Sequence, residues 1–128
     1  MSLIEKFGHY RTGHIEVDAA HFEMFALLYL AKYIKNKQIL KELIATFKDL
    51  WKVDTDLEEK LMQEMSYPYM AHHINDHAKM NLRINHIISR PITTDTYYVL
   101  MDLLNELLIH FEAHDKKLIP FLEALKTK

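Results

Sequence analysis

Two stretches of the chain place chemically active residues one helical turn apart. Asp54 precedes Glu58 by four residues, and His73 precedes His77 by the same interval. Side chains four residues apart lie on one face of a helix, so each pair can present two ligand atoms to a single point. Each pair also has a simpler interpretation. The acidic pair fits an exposed acidic face, and the histidines fit hydrogen-bond partners of buried carbonyl groups or positions at the edge of the protein.

The residues around the acidic pair favour burial. Asp54 and Glu58 share a helical stripe with apolar side chains, whereas Asp56 and Glu59 fit an exposed face. The apolar members of the stripe are Leu43, Phe47, Leu50, Trp51, Leu57, Leu61 and Met65. An ionised carboxylate in such surroundings is unfavourable unless a positive charge compensates it, and otherwise it becomes neutral.

Candidate partners for these carboxylates lie on the apolar faces of other segments. They are His21, His73, His77, His110 and Asp115. A single buried histidine is usually hydrogen-bonded within a core, but groups of this kind on four segments point to one shared site. Because carboxylates and imidazoles are the ligands that non-heme metals take in proteins, the sequence predicts a metal site.

Composition restricts the other possibilities. The chain has 128 residues, and we expect residues 1–128 to form a single domain. The formal net charge of −2 argues against nucleic acid as a partner, and no apolar run is long enough to span a membrane. There is no cysteine to act as a nucleophile, and the N-terminus lacks the apolar segment of a signal peptide, so we expect a cytoplasmic protein.

Apolar residues recur at helical spacing in four runs, which predicts an all-α protein. The predicted helices are Glu16–Ile34, Ile39–Met65, a third that starts at Pro68 and stops before Pro91, and Asp95–Leu125. Short connections between long helices favour antiparallel neighbours, so we expect an up-down-up-down antiparallel four-helix bundle. About the first 15 residues show no period, and we expect an N-terminal arm packed across the bundle.

Local residues indicate where these helices begin and end. Asn36 can cap the second helix, and Thr93 or Thr94 can cap the fourth. Pro68 suits the first turn of the third helix, and Pro120 is expected to kink or shorten the last turns of the fourth. The seven methionines fall largely on or near the apolar stripes, which is typical of adaptable core residues rather than of metal ligands.

Over nearly its whole length the chain resembles the hemerythrins, specifically the single-domain bacterial hemerythrins. The matching stretches are Gly13 with Val17-Asp-Ala-Ala-His21, Leu57-Glu-Glu-Lys-Leu-Met62, Tyr67-Pro68 with His73 and His77, and His110-Phe-Glu-Ala-His-Asp115 followed by Leu118. Their order, spacing and local sequence agree together, which makes the resemblance specific.

The resemblance implies a non-heme centre of two iron ions with an oxo or hydroxo bridge. The resemblance implies that His73, His77 and His110 bind one iron and that His21 binds the other. Glu58 and Asp115 are the implied bridging carboxylates. The resemblance also implies dioxygen, or another small diatomic molecule, as the ligand of the metal pair.

Asp54 departs from the family's pattern, which has a seventh ligand, a histidine, four residues before the bridging glutamate. If Asp54 is a ligand, it offers an anionic oxygen where the family has a neutral nitrogen, and harder donors favour the oxidised metal. If its short side chain fails to reach, the second iron keeps an open or water-filled position, as catalytic metal sites do. The helical register favours the ligand role, so we include Asp54 among the predicted ligands.

Two further residues leave alternatives open. Glu106 stands where the family usually has tryptophan, and it fits an additional ligand, an acceptor for an imidazole N–H, or a solvated side chain. Helical spacing pairs His110 with His114 more naturally than with Asp115, whereas the resemblance selects Asp115.

The remaining histidines fit no ligand spacing. We expect His72 to point away from the site, and the others at the surface or in the arm: His9, His14 and His86. Asp18 stands three residues before His21, which fits a carboxylate that orients this imidazole.

The functional expectation is a dioxygen-binding protein, for storage, delivery or sensing, with an apolar pocket that admits a small diatomic molecule. Because of Asp54, the alternative is a di-iron redox enzyme that acts on peroxide, nitric oxide or dioxygen. A third alternative is a bundle that binds other metals without a redox role.

Overall fold

Helices joined by short turns make up the structure. It is a computed structural model that describes residues 2–126, and it contains no strand within that range. The α-helices are α1 (Leu3–Gly8), α2 (Ile15–Leu30), α3 (Lys37–Glu64), α4 (Met70–Ile88), α5 (Asp95–Ala113) and α6 (Ile119–Lys126). Short 3-10 helices follow α2 at Ala31–Tyr33 and precede α6 at Asp115–Leu118. Among these residues no helix combines the length and the apolar character needed to cross a membrane.

The ends of α3 follow from local hydrogen bonds. The Asn36 side chain accepts a hydrogen bond from the Ile39 amide at 3.0 Å, which confirms it as the cap of this helix. At the other end Ser66 takes a positive φ of 49°, and the amide of Tyr67 donates to the carbonyl of Met62. This closure places Pro68 in the turn, and α4 begins two residues later at Met70. The prediction that Pro68 lies in the first turn of the third helix is therefore wrong.

The predicted fourth helix is interrupted. The helix α5 ends at Ala113, and His114 leaves helical geometry with φ −117° and ψ −53°. Pro120 follows in the first turn of α6, and it has no N–H to donate to the carbonyl of Lys116, so a single helix could not continue through it without losing a hydrogen bond. The disturbance falls before the proline, so it separates α5 from α6 instead of shortening the last turns.

The N-terminal arm contains a short helix, α1, that the sequence period missed. Ser2 caps it, and Phe7 is buried against the rings of Phe22 and Phe111, with centroids 5.4 and 6.4 Å away. Six residues give fewer than two turns, too few to display a helical period. The arm thus packs on the longer helices through Phe7 and through Tyr10, whose ring centroid lies 6.0 Å from that of Phe111.

The buried side chains form two apolar clusters with polar residues between them. We call them the major cluster, which includes Met24, Phe47, Trp51 and Leu103, and the minor cluster, which includes Val17, Met62, Tyr67 and Leu118. Along α2, α3 and α4 the buried histidines and carboxylates lie between a segment in one cluster and a segment in the other. His110 lies near the end of α5, whose buried apolar residues belong to the major cluster, and the minor-cluster residues Leu118 and Leu122 follow beyond that helix. The helix α2 packs on α3 and α5, and α3 packs on α4. All seven predicted ligands therefore occupy one buried polar layer.

Candidate metal centre

The seven predicted ligand residues converge in the polar layer. They come from five successive elements: His21 from α2, Asp54 and Glu58 from α3, His73 and His77 from α4, His110 from α5, and Asp115 from the second 3-10 helix. Each of them is at most 2% exposed. Charged and imidazole side chains are almost never buried to this degree unless they are paired or bind an ion.

Three histidines lie around one oxygen of Glu58 and one oxygen of Asp115, with two imidazoles close to each oxygen. The Nε2 atoms of His73 and His77 lie 3.0 and 3.2 Å from Oε1 of Glu58. The Nε2 atoms of His73 and His110 lie 2.9 and 3.1 Å from Oδ1 of Asp115. We call this set of three imidazoles and two carboxylate oxygens the three-histidine half of the centre.

The fourth histidine faces the other oxygens. Nε2 of His21 lies 2.6 Å from Oε2 of Glu58, 3.1 Å from Oδ1 of Asp54 and 3.3 Å from Oδ2 of Asp115. We call this set the one-histidine half. Glu58 and Asp115 therefore each divide their two oxygens between the two halves.

Several of these atoms approach one another without hydrogen-bond alignment. Both oxygens of Asp54, both oxygens of Asp115 and Nε2 of His110 are buried and have no hydrogen-bond partner within residues 2–126. Buried polar atoms without partners are rare in native proteins and call for an explanation such as an ion. The ligand atoms of the three-histidine half lie within 4.8 Å of one another, and so do those of His21, Asp54 and Glu58, which fits two sets of donors around cations. The residues present thus fit a metal.

The charges within the cluster perturb its histidines. Burial alone lowers the pKa of His73, but contacts with the carboxylates of Asp115 and Glu58 raise it to about 9. Burial likewise lowers the pKa of His110, and the carboxylates of Asp115 and Asp76 outweigh this effect and raise it to about 10. In the absence of metal these imidazoles hold protons that compensate the carboxylates.

The three carboxylates respond in different directions. Burial raises the pKa of Glu58, but hydrogen bonds from three imidazoles hold it well below its ordinary value. Burial and Glu58 also raise the pKa of Asp115, and His110 and His21 reverse this to leave it lowered. Asp54 has only His21 to offset burial and the charge of Glu58, so its pKa is raised well above the ordinary value. Asp54 is the carboxylate least compensated by protein groups.

The helix break decides which residue after His110 enters the cluster. In an unbroken helix Asp115 would lie about 140° around the axis from His110. The non-helical dihedral angles of His114 and the 3-10 helix after it turn Asp115 inward, where it is fully buried. His114 remains half-buried outside the cluster, with its Nε2 3.7 Å from Oδ1 of Asp76.

Asp76 is a contact of the centre that the sequence analysis missed. It accepts a hydrogen bond from Nδ1 of His110, which leaves Nε2 of that ring free to face Asp115. Of the four histidines in the centre, His110 alone has a hydrogen bond at Nδ1 within the described residues. Asp76 directly precedes His77, and its place one turn after His73 was the available signal.

Glu106 and Asp18, which the sequence offered as possible contacts of the ligand histidines, lie away from the centre. Glu106 lies at the surface with Oε2 3.4 Å from Nε of Arg83, in agreement with its solvated interpretation. Asp18 was expected to orient His21 but accepts hydrogen bonds from the amides of Thr12 and Gly13 and from the Thr12 hydroxyl. That expectation is wrong, because the carboxylate is committed to the arm.

The other histidines lie where the sequence placed them. His9, His72 and His86 are exposed, and the half-buried His14 caps α2 by accepting from the Val17 amide. None of the four belongs to the buried cluster.

Aromatic rings enclose the centre on the side of the major cluster. Phe111 stacks on His21 with ring centroids 4.3 Å apart. Trp51 meets His77 and His110 edge to face at 5.5 and 5.6 Å, and its indole N–H donates to Asn81. The walls on this side are therefore rigid and apolar.

No family model, curated protein or solved structure matches this chain.

Proposed function

We propose that this protein is a non-heme di-iron protein of the hemerythrin kind that binds dioxygen. The observation that carries the proposal is the division of the Glu58 and Asp115 oxygens between two sets of imidazoles. A carboxylate that serves one cation has no reason to face two separate sets of donors. Two cations side by side account for both carboxylates at once.

The order of the clusters supports an up-down-up-down antiparallel four-helix bundle. Along α2 the minor cluster precedes the polar layer and the major cluster follows it, and along α3 this order is reversed. It reverses again in α4, and after α4 the major-cluster residues of α5 come first and the minor-cluster residues Leu118 and Leu122 follow beyond the end of that helix. A reversal at each connection is what alternating helix directions produce, and metal sites in such bundles lie between facing helices.

The donor set favours iron. Four imidazoles and three carboxylates, without any thiolate, suit a metal of intermediate hardness that changes between the ferrous and ferric states. When bound, the iron pair supplies the electrons that dioxygen accepts. The protein provides five donor atoms in the three-histidine half and four in the one-histidine half. The one-histidine half therefore has more room for an added ligand.

The surroundings select a small molecule. The Phe111 ring stacked on His21 leaves no polar side chain on that side to hold a charged substrate. The full burial of the ligands excludes bulky substrates, whereas a diatomic gas partitions into apolar surroundings.

Asp54 favours a second candidate, a di-iron redox enzyme that acts on peroxide, nitric oxide or dioxygen. Its carboxylate is buried beside Nε2 of His21, which supports the ligand role. With Glu58 and Asp115 it offsets three of the four positive charges of a ferrous pair. An additional anion at the metal stabilises the ferric state, so bound dioxygen is more readily reduced than released.

Exposure of the reduced protein to air distinguishes the two functions. The iron-loaded protein is reduced under nitrogen, air is admitted, and the near-ultraviolet and visible spectrum is followed through degassing. A band that forms in air and disappears on degassing supports dioxygen binding. Rapid, irreversible conversion to a ferric spectrum supports the redox enzyme. A protein that remains colourless in both states contradicts both.

The Asp54→His variant tests the effect of having aspartate, instead of the family's histidine, at this position. It restores the donor expected from the resemblance, so it should oxidise in air more slowly than the wild-type protein. An unchanged rate would refute the role given to Asp54.

A further inference from the structure

The ligand residues of the centre are sealed from solvent, and two surface pockets approach them. One pocket of about 310 Å³ reaches His110 and also touches Asp76, His114 and Glu106. The other, of about 400 Å³, reaches His73 and is bounded by Tyr67, His72 and His114. A buried metal centre requires a route by which the ion arrives. Both pockets have His114 in their wall.

Asp76 and His114 are arranged as a pair of metal ligands at this position. Nε2 of His114 and Oδ1 of Asp76 lie 3.7 Å apart, and no hydrogen bond joins them. Two ligand atoms at about 2.1 Å from a tetrahedral ion stand roughly 3.4 Å apart, so the observed separation is close to that of two ligands on one ion. The two side chains are 26% and 27% exposed, which leaves them accessible to a hydrated cation.

The pair is connected to the buried centre. The other oxygen of Asp76 accepts the hydrogen bond from Nδ1 of His110, and the ring of His114 stacks on that of His110 at 5.4 Å. His110 therefore contacts the exposed pair through one nitrogen and the buried centre through the other. The three residues together form a further group of closely spaced potential ligand atoms.

We propose that Asp76 and His114 form a loading site, which binds a divalent metal ion at the surface and passes it to the buried centre. The proposal rests on the metal centre proposed above. Two protein ligands with water in the remaining positions hold a cation weakly, as a transfer site requires. Glu106 lies in the same pocket, but its proximity to Arg83 makes it a rim residue rather than a ligand.

The rate of metal uptake tests the proposal. Metal-free protein is mixed with Co²⁺ in a stopped-flow spectrometer, and the visible absorption of the bound ion is followed. The His114→Phe variant keeps a ring beside His110 but removes the ligand atom. It should take up Co²⁺ about tenfold more slowly, because loss of one supporting ligand lowers metal affinity by about that factor. The final amount of bound Co²⁺ should be unchanged.

The controls separate this inference from the proposed centre. His86→Phe makes the same replacement at an exposed position of α4 outside both pockets, and it should load at the wild-type rate. Asp76→Asn removes the second ligand of the pair and should also slow uptake. Wild-type loading rates in both His114→Phe and Asp76→Asn would overturn the loading site while leaving the buried centre intact. A wild-type protein that binds no Co²⁺ would overturn both.

Discussion

Filling the centre with metal near pH 8 should release protons from the side chains that bind it. A histidine must be neutral to bind a metal ion, so every proton held in the metal-free cluster is displaced. The carboxylates of Asp115 and Glu58 raise the pKa of His73 to about 9 against the effect of burial, and the pKa of His110 reaches about 10. Both imidazoles are therefore mainly charged at pH 8, and each contributes one proton.

His21 and Asp54 also bind protons more strongly than free side chains do. Burial lowers the pKa of His21, but the Asp54 and Asp115 carboxylates raise it well above its ordinary value. The pKa of Asp54 is raised by burial and by Glu58. Metal binding expels the protons that these two groups hold. Glu58 and Asp115 contribute none, because their lowered pKa values leave them ionised already.

Calorimetric titration with Zn²⁺, in buffers that differ in ionisation enthalpy, measures the number of protons released. At pH 9.5 the number should be smaller by about one, because His73 is then mostly neutral before metal arrives. Any proton lost by water at the metal is counted at both pH values. The test is therefore the difference in proton release between pH 8 and pH 9.5. The exposed-site variant His86→Gln should give wild-type numbers. Full Zn²⁺ binding with equal proton release at pH 8 and pH 9.5 would refute this account.

Three further predictions concern stability. Without metal, the denaturation midpoint should be lower at pH 9.5 than at pH 7. The raised pKa values of His73 and His110 contribute stability that is complete below pH 6.5 and is lost as pH rises through about 9 and 10. A higher midpoint at pH 9.5 contradicts this. Asp18→Ala should lower the free energy of unfolding by about 1–3 kcal/mol and speed hydrogen exchange of the Thr12 and Gly13 amides, which this carboxylate binds. Unchanged exchange contradicts the contact. Phe111→Ala should cost about 3–5 kcal/mol in urea unfolding, and the exposed Ile109→Ala should be neutral; equal costs contradict the packing.

The burial of four of the predicted ligands could be anticipated from a local rule. Asp54, Glu58, His73 and His77 lie at helical spacing on faces that are otherwise apolar, and burial of such a face brings its polar members into the core. The cap at Asn36 could also be predicted locally, because its hydrogen bond joins residues only three positions apart in the chain.

The features that could not be predicted depend on contacts distant in the chain. The turn that brings Asp115 inward results from the helix break before Pro120, and helical spacing alone favoured His114. The bond from His110 to Asp76 joins residues 34 positions apart, and the position of Asp76 one turn after His73 places it on the ligand face without identifying its partner. Asp18 was assigned to the nearest histidine, whereas the folded arm returns to bind it.

The metal content of the protein tests the central claim most directly. The metal-free chain is loaded with ferrous iron under nitrogen, and native mass spectrometry gives the number of ions per chain. Because Glu58 and Asp115 face both halves of the centre, we expect the chain to bind two irons. The Glu58→Gln variant, which weakens the shared carboxylate, should bind fewer. Saturation at one iron, or no retained iron, would contradict a dinuclear centre.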